Sequence, residues 1–92
     1  MIEVKEIRNN MYHYWIIYWN KEELLRFTES STESGEWDYY SEEMKVEDGR
    51  IEADNFEEAL DEFKYLIIEY CLNQQEKYQC IIDDIEEELW LN

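Results

Sequence analysis

The sequence predicts an α+β fold, an antiparallel sheet of three to five short strands packed against two C-terminal helices. Three observations carry that expectation. Residues 2–53 hold short aromatic and β-branched runs broken by Asn- and Gly-containing turns. From residue 54 onward the apolar residues recur at spacings of three and four instead. The change of period falls at Asp54–Asn55, residue types that cap a first helical turn.

The first strand is expected at Ile2–Arg8, where Ile2 and Val4 alternate with Glu3 and Lys5. Asn9–Asn10 reads as a two-residue hairpin turn, because Asn tolerates positive φ. Met11–Trp19 (MYHYWIIYW) is then a second strand with large side chains on both faces. Asn20 either caps a short helix or opens a turn at Asn20–Lys21, and a third strand at Leu24–Thr28 continues the meander. Glu29–Glu36 is small, polar and acidic, and reads as an exposed loop. Glu36–Tyr40 and Met44–Val46 are expected as short strands, with Asp48–Gly49 as a second hairpin turn returning through Arg50–Ala53.

Asp54–Leu72 is the most regular stretch of the chain. Phe56, Ala59, Leu60, Phe63, Leu66, Ile67 and Tyr70 share one helical face, with Glu57, Glu58, Asp61, Glu62 and Glu69 largely opposite. Asn73 ends or kinks that helix. Gln74–Leu91 resumes the period, with Tyr78, Ile81, Ile82, Ile85 and Leu89 inward and Glu76, Asp83, Glu86 and Glu87 outward.

Ninety-two residues make a single domain, 1–92, with room for a modest core and none for a deep cleft beside it. Aromatic content of 16% and hydrophobic content of 45% argue for a packed chain despite a net charge of −17. No apolar run of about 18 residues and no basic leader is present, so the expectation is a soluble cytoplasmic protein with no membrane contact. Cys71 and Cys80 fit neither zinc-ligand nor redox spacing and read as two small buried hydrophobes.

Catalysis is not expected. His13, the only histidine, has no obvious nucleophile beside it in sequence, and no second His or thiol cluster suggests a metal. Calcium-loop spacing and glycine-rich phosphate loops are absent, and no cofactor is implied. Direct nucleic-acid binding is opposed by charge, since 25 Asp and Glu face only eight Lys and Arg.

The same charge makes a positive case. Five carboxylates over twelve residue steps of the first helix give one charge per roughly 3.6 Å, against about 3.4 Å per phosphate on a DNA strand. Any acidic helix has a similar rise. More informative is the spread of acid through both helices, the 29–36 loop, and Glu42, Glu43, Glu47, Asp48 and Glu52, with few Lys at i+4. A basic DNA-binding groove attracts such an array. The candidate phosphate-mimicking residues are Asp54, Glu57, Glu58, Asp61, Glu62, Glu69, Glu76, Asp83, Glu86 and Glu87. Tyr12, Tyr14, Trp15, Tyr18 and Trp19 offer more apolar surface than one helical layer covers, which predicts a homodimer interface.

In size, acidity and helix–strand character the whole chain resembles the small acidic DNA-mimic inhibitors that phages use against host defence. These are the anti-restriction and anti-CRISPR proteins, and the chain is most similar to the T4-type anti-restriction endonuclease protein. That resemblance implies an α/β DNA mimic, with a host DNA-binding protein as partner. The partner would be a modification-dependent nuclease such as McrBC or a histone-like nucleoid protein. The family shares no motif, so it assigns no residue. Abundant Ile, Asn, Lys, Glu and Tyr without Pro suits an AT-rich phage genome. The alternative is an acidic antitoxin-like or regulatory subunit that binds a basic protein other than a DNA binder.

Overall fold

The structure, a computed structural model, describes residues 1–30, 34–74 and 77–89. Five strands run β1 (Ile2–Arg8), β2 (His13–Trp19), β3 (Glu22–Glu29), β4 (Glu36–Ser41) and β5 (Val46–Glu52). Helices α1 (Phe56–Leu72) and α2 (Lys77–Leu89) follow. The strands form one antiparallel meander in the order β1-β2-β3-β4-β5. This is the α+β architecture expected from the change of hydrophobic period.

The connections show which local signals decided the register. Between β1 and β2, Asn9 donates its N–H to the Tyr12 carbonyl, so the chain reverses at Asn10–Met11, one residue later than expected. Asn9 acts through its side chain, whose Oδ1 accepts from the N–H groups of Met11 and Tyr12, both at 2.8 Å. The strand therefore begins at His13 rather than Met11. At the next turn Asn20 and Lys21 both hold positive φ, 48° and 70°. That is the two-residue geometry whose twist matches the flanking strands.

The expected turn at Asp48–Gly49 is not there. Both residues lie inside β5, and the reversal comes earlier, at Glu42–Lys45, where Lys45 takes φ 58°. Met44 belongs to that turn and not to a strand. Gly49 serves a different purpose. It pairs with Tyr39, and the Tyr39 ring lies across it where a side chain would stand. Part of the expected Glu29–Glu36 loop falls outside the described residues, while Glu29 and Glu36 themselves end β3 and begin β4.

A bulge in β3 sets the core. Ile17 pairs with Leu25 and Tyr18 with Glu23, so Leu24 is an extra residue, and both leucines are buried. The carbonyl freed at Leu24 accepts from the buried Ser41 hydroxyl at 2.7 Å. Ser41 Oγ in turn accepts the N–H of Met44, which fixes the tight turn.

Both helices cover one face of the sheet. Asn55 caps α1, accepting the Glu58 N–H at 2.9 Å, and Asn73 closes it with its N–H on the Tyr70 carbonyl. Ala59, Phe63, Ile67 and Cys71 form the inward stripe of α1; Ile81, Ile82 and Ile85 form that of α2. They meet Ile17, Leu25, Phe27 and Trp37 from the strands. Each fully buried Ile, Leu or Phe contributes about 1.5–3 kcal/mol, so this cluster is the main source of stability. Aromatic rings knit its β2 end: Trp15 lies 4.9 Å from Phe56 and 5.6 Å from Phe27. Phe27 lies 4.4 Å from Phe63.

Of the five residues expected to face a second copy, Trp15 and Trp19 are therefore on the covered face. Trp15 is inside the ring cluster, and Trp19 donates its indole N–H to Asp84 of α2 at 2.7 Å. Strand alternation explains this, because odd positions of β2 point to the helices and even ones away. Tyr14 and Tyr18 lie on the open face. Ile16 lies there too, buried but outside the core cluster. Cys71 is buried as expected; Cys80 is exposed. No described helix is long and apolar enough to cross a membrane.

Candidate functional site

The helix layer concentrates the charge. Residues 54–89 hold twelve of the 25 carboxylates and only two of the eight Lys and Arg, Lys64 and Lys77. Lys64 is withdrawn from the surface: its side chain is 6% exposed, 2.7 Å from Asp61 Oδ1, and donates to the Leu89 carbonyl near the C-terminal end of α2. A cation there satisfies a carbonyl that the helix leaves unpaired.

Asp54, Glu57, Glu58, Asp61, Glu62 and Glu69 are all exposed along α1, as are Asp83, Glu86 and Glu87 along α2. Glu76 lies outside the described residues. Folding uses some of the others. Glu58 Oε2 accepts the Asp54 N–H at 2.9 Å, which closes the first turn of α1. Asp61 is paired with Lys64, and Asp83 accepts from the Gln79 amide at 3.0 Å. Glu57, Glu62, Glu69, Glu86 and Glu87 pair with no Lys or Arg among the described residues. With Asp61 neutralised, four charges remain over the same twelve steps of α1, one per about 4.5 Å along the axis. Pairing with Lys64 widens the mean spacing read from the sequence, and the one-signed field of the layer remains. Tyr65 stands exposed in the middle of the α1 acids.

Three carboxylates outside the candidate phosphate-mimicking set hold the layers together. Asp84 Oδ2 accepts from the Met1 ammonium at 2.6 Å and from the Trp19 indole. Those two hydrogen bonds hold its carboxyl below the usual carboxylate range, and the first of them raises the ammonium above its ordinary value. Glu88 accepts the Ile2 N–H at 3.0 Å. On the β4–β5 turn, Glu43 Oε2 accepts from the hydroxyls of Tyr70 (2.9 Å) and Tyr78 (3.2 Å), tying the turn to both helices. Burial, aided by these hydrogen bonds, pushes the Tyr70 phenol well up, and burial takes the Cys71 thiol to about 11.

No known family, characterised protein or solved structure matches this chain.

Chemistry beyond charge is sparse. His13 is exposed, its ring 4.3 Å from Trp15 and Nε2 2.7 Å from Glu6 Oε2, a pairing that adjacent strands create and sequence distance hides. No group of three His, Cys, Asp or Glu is placed to hold a metal among the described residues. A concavity lies on the other side of the sheet from the helices. It is a groove of about 660 Å³ whose walls include Tyr12, Tyr14, Tyr40, Asp38, Glu47 and Asp48. Of the residues singled out in the sequence, Tyr12 and Tyr14, expected at a dimer interface, and Glu47 and Asp48, from the spread of acid, line it. The alternation of Asp38 and Tyr40 in β4 was the available signal.

Proposed function

We propose that this chain is a DNA-mimic inhibitor whose helix layer occupies the basic DNA-binding surface of another protein. A histone-like nucleoid protein or a nuclease of the modification-dependent kind is the class of target. One observation carries the reading: the outward side of α1 and α2 presents exposed carboxylates, while Lys64, the cation within α1, is folded inward. The field, rather than a phosphate-for-phosphate lattice, is what a basic groove would meet. Regular helices anchored on a shared core hold the charges in place, so association carries little ordering cost. Arginine forks in such a groove donate to carboxylate oxygens as they donate to phosphate oxygens.

The test is displacement of a fluorescent DNA duplex from a histone-like nucleoid protein and from a McrBC-type nuclease, across a salt series. The informative variant carries Gln at Glu57, Glu62, Glu69, Glu86 and Glu87, carboxylates that folding does not use. Its control carries Gln at Glu3, Glu22, Glu29, Glu42 and Glu52, exposed positions on the strands and the β4–β5 turn. The helix variant should stay folded and lose at least about tenfold in displacement at low salt, with a flatter salt dependence. The control should lose much less. Equal losses would assign the effect to bulk charge. Failure of the unmutated chain to displace DNA from either target would refute mimicry.

A further inference from the structure

We infer that the groove on the open face of the sheet is a second contact site, built to take arginine and lysine side chains from a basic polypeptide. The inference rests on the reading above in one respect only, that the partner is basic. At about 660 Å³ the groove is within the size range of ligand sites. Its rim carries Tyr12 (58% exposed), Tyr14 and Tyr40 (38% exposed), rings whose faces attract cations. The chain already demonstrates that use, with the Arg26 guanidinium 5.5 Å from the centre of the Tyr14 ring.

Two arginines line the groove, and their pairing decides the sign of the ligand. Arg26 is forked onto Glu23, Nε to Oε2 at 2.9 Å and Nη2 to Oε1 at 2.6 Å. Arg50 is drawn onto Asp38 at 2.8 Å and Glu36 at 2.9 Å. Both guanidiniums are thus engaged by the chain's own carboxylates and do not present an open fork to an anion. Asp38, Glu47 and Asp48 line the groove, and with the arginine partners Glu23 and Glu36 five carboxylates stand against two guanidiniums. The net field draws a cation toward the tyrosine faces. A second copy of this chain is a poor occupant, because each copy brings a charge of −17.

The experiment titrates the full chain with a Gly-Arg-Gly-Arg-Gly peptide, following the Tyr12 and Tyr40 ring resonances by NMR. The matched peptide with citrulline for arginine keeps the shape and removes the charge. The arginine peptide should shift both rings and the citrulline peptide should not. The Tyr12→Leu, Tyr40→Leu variant should weaken binding at least about tenfold, and Asp48→Asn should weaken it less. The variant with Gln at Glu57, Glu62, Glu69, Glu86 and Glu87 should bind the peptide in the groove as before, so loss of DNA displacement and loss of groove binding are separate outcomes. Shifts confined to α1 and α2 would overturn the inference. So would undiminished binding by the Leu variant, or ring shifts that follow protein concentration without peptide.

Discussion

Gly49→Ala tests the arrangement of β4, β5 and α1 most sharply, because two physical effects of opposite sign meet at one atom. Gly49 sits inside β5 with no positive φ, so alanine fits the backbone. Replacing a strand glycine by alanine ordinarily gains about 0.5–1 kcal/mol, since glycine loses more freedom on folding. Here the new methyl would fall inside the Tyr39 ring, against Cζ, Cε1 and Cε2, closer than the 3.0 Å below which real Cβ contacts are essentially absent. The ring must move, and it packs edge-on against Phe63 at a centroid distance of 5.3 Å. Losing that pair removes about 0.5–1.5 kcal/mol, and forcing volume into a packed region costs about 1–3 kcal/mol. The strain outweighs the backbone gain, leaving a net loss of roughly 1–3 kcal/mol. For a domain of this size each kcal/mol lowers Tm by about 4–8 °C. Urea unfolding followed by tryptophan fluorescence and circular dichroism measures it. In a Tyr39→Ala background the same change should be neutral or stabilising, with a coupling of about 0.5–3 kcal/mol across the double-mutant cycle. A Gly49→Ala protein that melts higher than its parent would refute the reasoning.

Three further outcomes follow from the structure. The raised Met1 ammonium contributes stability that is full below about pH 8 and lost as pH climbs through its folded value. The lowered Asp84 carboxyl contributes stability above about pH 4 and loses it as pH falls. Asp84→Asn should therefore flatten the decline of Tm above pH 8, and an unchanged slope would count against this pairing. Glu43→Ala leaves the hydroxyls of Tyr70 and Tyr78 without their shared acceptor and should cost about 1.5–3 kcal/mol, read by urea titration. Asn55→Ala removes the α1 cap and should cost about 1 kcal/mol, with faster amide exchange at Glu57 and Glu58 as its signature.

The fold class and most of its elements were legible because local signals agreed with tertiary demands. The apolar stripe of α1, the cap at Asn55, the stop at Asn73 and the turn at Asn20–Lys21 are set by neighbours within a few residues. Asp48–Gly49 misled because a glycine there answers to Tyr39, about ten positions earlier in the chain and opposite it in the sheet. The composition of that dipeptide is the same whether it turns the chain or lets a ring lie flat. Trp15 and Trp19 misled for a related reason: a strand with large side chains on both faces does not say which face the helices will take.

Charge divided in the same way. Composition determined that the chain is strongly anionic, and residue spacing that its helices carry acid on one side. Which carboxylates remain uncommitted was decided only by packing, since Asp84, Glu88 and Glu43 meet partners 65, 86 and 27 residues away. Lys64, which sequence places among outward acids, is drawn in because α2 ends beside it with a carbonyl to satisfy. The groove is likewise a product of five strands side by side, bringing Tyr12, Asp38 and Asp48 to one concave wall. Strand alternation is written in the sequence, but which strands become neighbours, and which face the helices cover, is settled by burying the largest apolar area in three dimensions.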